Sequence, residues 1–474
     1  MSAAPHDQQP QQQARLDGRL GPVAVVFMVV AAAAPLTVIG GNMPLAIGIG
    51  NGAGAPVGFV IASLVLLVFS VGFVTMTPHV KEAGAFFSYV NAGLGDRAGT
   101  GIAAVALIAY TAIQVGIYGY IGWALDDTVT FYGGPSIPWP VYSFVVLAIV
   151  ALLGYRHIGL SAKVLGIALA LEIAVVVVLD VVIFTDPGPD GITLQPFVPD
   201  VFTQGSIGVA ILFALTGFIG FEATAVFRDE ARDPDRTIPR ATYAAVLIIG
   251  GFYALTTWVF VIAYGVDQVQ GVAQQTLDGN ANMLLDTTDA MLGRVGRDIV
   301  NVLLLTSLFA CVLSFHNVIA RYQFVLANKG YLPARLGEVH EKHQSPARSS
   351  VVQTITAIVL VALFAVFGVE PLVGVFGSMA GVATVGMMIL LFTTSAAVLV
   401  FFARNSDKAA GRPWQTRIAP ALACLGLLGC LWIVLSNFTL VTGGSVALST
   451  FLAAIPFIGF ALGYLVGPRL AARP

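Results

Sequence analysis

The sequence predicts an all-α integral membrane protein with twelve transmembrane helices, and three observations carry that expectation. Of the 474 residues, 57% are hydrophobic and only 10% charged, and the mean hydropathy is +0.87; soluble domains carry about 25% charged residues. Apolar runs long enough to cross a bilayer, roughly 20 residues at 1.5 Å each, begin near Leu20, Val57, Thr100, Pro140, Leu160, Ser206, Ala241, Ile299, Val351, Leu372, Ile418 and Val446. With the N-terminus placed inside, all of the 23 Lys and Arg residues except Arg294 and Arg297 fall on the cytoplasmic side. The outer loops instead carry acids such as Asp126, Asp127, Asp186, Asp190 and Asp267. A miscounted span would scramble that asymmetry, so the positive-inside rule favours twelve spans with both termini cytoplasmic.

Residues 1–19 are polar and rich in Gln, with no apolar centre, and read as a disordered cytoplasmic tail rather than a signal peptide. Residues 20–474 then form one transmembrane domain. The first span contains VIGGNMPLAIGIGNGAG, where glycines interrupt the apolar run. The fifth, beginning near Leu160, carries Glu172 near its midpoint, where an uncompensated charge costs about 3 kcal/mol or more. The sixth contains ALTGFIGFEA, with Gly217, Gly220 and Glu222 inside it, although glycine costs a helix roughly 1 kcal/mol relative to alanine. A block of charge follows, from Arg228 through Asp229, Glu230, Arg232, Asp233 and Asp235 to Arg236, and Pro239 is expected to start the seventh span. His316 lies in the eighth span, and the boundary between the ninth and tenth falls around Phe367 to Pro371. Cys311, Cys424 and Cys430 sit in apolar runs without metal or disulfide spacing and read as small core residues.

The two glycine-interrupted spans are five apart. Broken helices at corresponding positions in two halves point to an inverted-repeat transporter, whose substrate meets unpaired backbone groups near the bilayer midplane. The competing interpretation is that the glycines only allow close helix packing.

Three stretches carry a resemblance. GFIGFEATAVFRDEARDPDRTIPRA resembles the sixth helix and following loop of the amino acid–polyamine–organocation (APC) permeases; KEAGAFFSYVNAGLG is similar to their first cytoplasmic loop, and ARYQFVLANKGYLPARLGEVHEKHQSP to their loop after helix eight. The resemblance implies a LeuT-type 5+5 inverted repeat, with residues 20–185 as the first repeat, 203–403 as the second, and 415–468 as two further helices. It also implies a substrate carboxylate held by backbone N–H groups at Ile39, Gly40, Gly41 and Asn42, and an amine held by carbonyls at Gly217, Phe218 and Ile219. Helix ends carry about half a charge of the matching sign. The first segment reads IGGNMP and lacks the hydroxyl common in the family. Carboxylate capture there would rest on backbone groups and Asn42, which leaves a decarboxylated amine open. Phe218 and Phe221 flank the second break and are candidates to close over substrate, against ordinary packing.

Glu222 is expected to cap backbone N–H groups freed at the break, and His316 to act as a hydrogen-bonding strut. Several APC members carry a lysine at the place of Glu172, where it stands in for a sodium ion; a carboxylate there suits a proton, or Na⁺ together with Thr306 and Ser307. The expected function is secondary active import of an amino acid or related amine by H⁺ symport across the plasma membrane. The alternatives are Na⁺ coupling, exchange, and a non-transporting nutrient receptor. There is no nucleophile–base cluster and no H-E-x-x-H for an intramembrane enzyme, no repeated polar face for a channel, and no charge excess for nucleic acid. No cofactor or metal is expected, and the oligomeric state is left open.

Overall fold

Pro22 opens the first helix, at the position where a missing N–H costs nothing. The computed structural model describes residues 21–80, 85–156, 162–222, 224, 231–340, 345–443 and 445–471. The N-terminal tail, Lys81 and residues 228–230 of the charge block lie outside them. In chain order the main helices are α1 (Pro22–Ala32), α2 (35–51), α3 (Ala55–Met76), α4 (Ala85–Leu94), α5 (Asp96–Phe131), α6 (Trp139–Tyr155), α7 (Ala162–Thr185) and α8 (Ile207–Thr216). They continue as α9 (Pro234–Tyr264), α10 (Val269–Leu277), α11 (Met283–Asn328), α12 (Ala347–Val366), α13 (Pro371–Arg404), α14 (Trp414–Ser436) and α15 (Val446–Ala471). Among the described residues nine helical stretches are long and apolar enough to cross a membrane, and α6 and α8 are shorter apolar helices. The molecule is a multi-pass, all-helical membrane protein.

Its outer helices show lipid-facing stripes. On α7, Val164, Ile167, Leu171, Val178 and Val181 are exposed, while Leu169, Val176, Leu179 and Ile183 are buried. Apolar exposure of that kind is stable only against acyl chains. At the centre, α5 packs against α11, α13 and α15, and α8 lies between α2, α3 and α13.

Local chemistry sets the helix ends. Ser206 caps α8 by accepting from Val209 N–H at 3.2 Å. Between α12 and α13 the chain turns at Gly368 (φ 62°), and the Glu370 carboxylate accepts from the N–H groups of Leu372, Val373 and Gly374 at 2.6, 2.6 and 3.0 Å. That acid places the boundary the sequence left around Phe367 to Pro371.

One expectation is corrected. Pro239 does not start the seventh span: α9 begins at Pro234, and Pro239 lies inside it. Asp233 C=O accepts from Thr237 N–H at 2.7 Å, so the first turn is already closed, with Pro234 at the favoured N-terminal position. After the seventh span, connecting segments at 266–268 and 278–282 flank the short helix α10, and α11, starting at Met283, bends at Gly293 (φ 71°). α10 rests on α2: Gln270 Nε2 donates to Gly48 C=O at 3.2 Å, and a Cβ at Gly48 would lie 2.7 Å from Leu277 Cδ1.

Candidate functional site

Two chain interruptions face each other. α1 ends at Ala32, and Ala34 adopts a left-handed conformation (φ 46°, ψ 72°) before Pro35 starts α2. A residue before proline is pushed out of the helical region, and left-handed backbone strains any residue bearing a Cβ. The second interruption follows Thr216, where α8 stops and residues 217–222 run as turns, with Gly220 at φ 108°. The two segments touch, since a Cβ at Gly217 would lie 3.1 Å from Val38 Cγ1.

A small cavity of ≈ 30 Å³ lies between them. Ala33, Ala34, Thr37, Val38 and Asn42 line it from the first span, and Thr216 and Ile219 from the second. Ile113 and Ile117 of α5, Cys311 and Phe315 of α11, and Phe376 of α13 complete the wall. A larger groove of ≈ 290 Å³ between Leu435 and Phe457 lies on the outer helices α14 and α15, remote from both breaks.

The first interruption is therefore not at Gly40 and Gly41, where the sequence placed it. Residues 38–42 form a π-helical turn that continues α2, and the break sits at Ala33–Ala34. Of the four residues assigned to carboxylate capture, Asn42 lines the cavity; Ile39, Gly40 and Gly41 are buried beyond it. Asn42 Nδ2 donates to Phe213 C=O at 2.9 Å, which ties α2 to the end of α8. Gly40 and Gly41 make room for a ring: a Cβ at Gly40 would stand 2.4 Å from Tyr120 Oη, and one at Gly41 2.7 Å from Tyr120 Cε1. Leu284 of α11 also reaches Gly40, 3.2 Å from where a Cβ would be.

At the second interruption Ile219 lines the cavity, while Phe218 and Phe221 do not. Phe218 packs edge-on to Tyr253 at 6.4 Å between centroids, and Phe221 edge-on to Phe69 at 6.0 Å. The aromatic walls are instead Phe315 and Phe376, which the sequence reading did not single out. Each is backed by a tyrosine of α5: Phe315 by Tyr110 at 6.1 Å, Phe376 by Tyr120 at 5.1 Å. No sequence signal distinguishes them from the other membrane phenylalanines; only the packing does.

Glu222 is buried, and its carboxylate accepts from Tyr110 Oη at 2.6 Å and from Gly220 N–H at 3.0 Å. It thus joins the broken segment to α5 directly beside Phe315's neighbour. His316 faces away from the cavity, with Nε2 2.8 Å from Ser350 Oγ on α12. A Cβ at Gly154 of α6 would lie 2.5 Å from that nitrogen, so the histidine fills a three-helix junction.

Glu172 stands directly behind the first break. It is 5% exposed, and its Oε2 accepts from Leu36 N–H at 3.3 Å and from Ser307 Oγ at 3.0 Å. Pro35 has no N–H, so Leu36 offers the first free donor of α2, and the carboxylate answers the positive end of that helix. Thr37 Oγ1 lies 3.4 Å from Ser307 Oγ. On the other side of the break Tyr253 Oη donates to Ala33 C=O at 3.1 Å. Thr306 instead donates to Leu303 C=O of its own helix.

Comparison with known proteins fits these broken membrane helices. Residues 20–462 match the family described as amino acid permease. The chain is 23% identical over 406 residues to a branched-chain amino acid permease, BcaP, of Bacillus subtilis, covering 81% of each chain. It is 22% identical over 376 residues to that organism's serine/threonine exchanger SteT, covering 77% of this chain and 78% of the relative. Similarity to the arginine/agmatine antiporter of Chlamydia abortus is 24% over 443 residues, covering 88% and 84%. With the match running across nearly its whole length, the chain belongs to the amino acid permease family, whose members are transporters rather than enzymes.

Proposed function

We propose that the protein imports a neutral amino acid, or the related amine, across the plasma membrane by proton symport with alternating access. The observation that carries this is Glu172, whose buried carboxylate contacts the α2 terminus at Leu36, two residues beyond the cavity-lining Ala34. A proton arriving on Glu172 alters the charge facing Leu36 N–H, and so the backbone donors available to a substrate carboxylate. Loading of ion and solute is thereby coupled through one helix end. The amine would meet the carbonyl end of α8 and the turns at Gly217 to Ile219. The walls favour an aliphatic side chain, because Ile113, Ile117, Ile219, Phe315 and Phe376 surround the site and, among the described residues, no Lys, Arg, Asp or Glu lines it. A guanidinium or an acidic side chain would be buried there without a partner, at a cost of several kcal/mol.

The architecture belonging to this proposal is the twelve-span one, with 20–185 and 203–403 as inverted repeats, 415–468 appended, and both termini cytoplasmic. A cysteine placed at the exposed Gln275 on α10 is expected to react with an impermeant maleimide on intact cells. Labelling that appears only after permeabilisation would overturn the orientation.

Uptake of labelled leucine, serine, arginine and agmatine into liposomes reconstituted with the purified protein tests the function. An inward proton gradient is expected to drive leucine accumulation, with arginine and agmatine excluded. The oxygens of Glu172, Ser307 and Thr37 also favour a second reading, Na⁺ coupling, and accumulation that follows a Na⁺ gradient at constant pH would establish it instead. Binding without accumulation would identify a receptor, and uptake that requires internal amino acid would identify an exchanger.

A further inference from the structure

α7 carries a second buried acid. Asp180 lies two turns beyond Glu172, about 12 Å along the helix axis, and is 4% exposed inside a membrane-spanning helix. Its Oδ2 accepts from Thr256 Oγ1 of α9 at 2.8 Å, and its Oδ1, also buried, has no hydrogen-bond partner among the described residues. Among those residues no Lys, Arg or His forms an ion pair with it. A carboxylate so placed is costly as a permanent charge and adds nothing to packing that a leucine would not supply better.

The neighbouring helices set it in a line. α7 packs against α1, α2, α9 and α11. α1 presents no titratable side chain in Pro22–Ala32, nor does α2 in Pro35–Thr37. α9 presents Thr256 to Asp180 and, one turn away on the same face, Tyr253, which donates to Ala33 C=O at the break that Glu172 backs. α11 presents Ser307 to Glu172 and carries the Cys311 thiol about one turn further along. One face of α9 thus carries two hydroxyls between the acids, Thr256 on Asp180 and Tyr253 on the Ala33 carbonyl at the break, and beyond Asp180 the helix ends at Thr185 with Asp186 exposed.

We infer that Asp180 is a second proton-binding site, taking up a proton from the side of the membrane where α7 ends and passing it along Thr256 and Tyr253 to Glu172. The step is a proton transfer between carboxyl oxygens through hydroxyl groups. Asp180 gains a proton from water and gives it up as Glu172 gains one, and no bond to carbon changes. The inference rests on the proton-symport reading above.

Four proteins in liposomes test it: the wild type, Asp180→Asn, Asp180→Glu and Glu172→Gln. Each is assayed for substrate counterflow, which moves no net proton, and for net uptake under a pH gradient with an internal pH dye. Asp180→Asn keeps acceptance from Thr256 but cannot carry a proton. It is expected to leave counterflow at the wild-type rate and to slow net uptake and internal acidification about a hundredfold or more, the loss typical of a removed proton-transfer partner; Asp180→Glu restores both. Net uptake and pH profile unchanged in Asp180→Asn, while Glu172→Gln abolishes them, would overturn this inference and leave the symport reading standing. Counterflow and net uptake falling in equal proportion would make Asp180 a structural residue, and a wild type that ignores the pH gradient would end both readings. Should Asp180→Asn not reach the membrane, Thr256→Val, which removes the donor to the carboxylate, is expected to shift the pH profile of net uptake with counterflow intact, and an unshifted profile overturns the inference.

Discussion

Gly41→Val is expected to lose uptake by roughly tenfold to a hundredfold while still reaching the membrane. A Cβ there would lie 2.7 Å from Tyr120 Cε1 and 2.9 Å from Phe376 Cε1, and both rings are fully buried, so neither can swing into open space. Overfilling a packed site costs about 1–3 kcal/mol, which is that range of activity when it falls on the transport-competent state. Gly40→Ala meets the same residue through its hydroxyl, at 2.4 Å. Its defect is therefore expected to be relieved by Tyr120→Phe, which deletes the clashing oxygen. Gly251→Val is the control, because nothing stands within 4 Å of a Cβ at that position. Uptake by Gly41→Val equal to that of Gly251→Val would show that the Tyr120 ring does not constrain the first span.

The other large effect is on coupling. Glu172→Gln is expected to retain substrate binding and counterflow but to reduce pH-driven accumulation to the level without a gradient. The substituted amide keeps a carbonyl oxygen able to accept from Leu36 N–H and Ser307 Oγ, the two donors that hold Glu172 Oε2. The helix end stays satisfied, and only the exchangeable proton is gone. Normal accumulation under a pH gradient in this variant would remove Glu172 from the coupling mechanism.

Much of the architecture was legible in the sequence because the bilayer leaves few options. Backbone groups in lipid must be paired internally, so a run such as Thr100 onward could only be the buried helix α5. The second interruption was legible too, since Gly217, Gly220 and Glu222 have no other reason to share an apolar run. The first was misplaced by about two turns. Glycine pairs attract attention, but Gly40 and Gly41 admit a tyrosine, while the chain unwinds within an unremarkable AAAAP, where Ala34 takes a backbone conformation usually left to glycine. Pro35 was the available signal. The walls of the cavity were not legible. Phe218 and Phe315 are both buried phenylalanines, and which of them meets the cavity depends on helix rotations that no short pattern in the chain records.

The packing of α10 and the start of α11 against the first span has a mechanical meaning. Leu277 and Leu284 lie against Gly48 and Gly40 like teeth in sockets, and Gln270 is fastened to the Gly48 carbonyl. A tilt of the first span presses on both leucines, so the positions of α10 and α2 are linked. A binder that clamps α10 is therefore expected to slow uptake without entering the cavity, and unchanged uptake with α10 clamped would show that the two helices move independently.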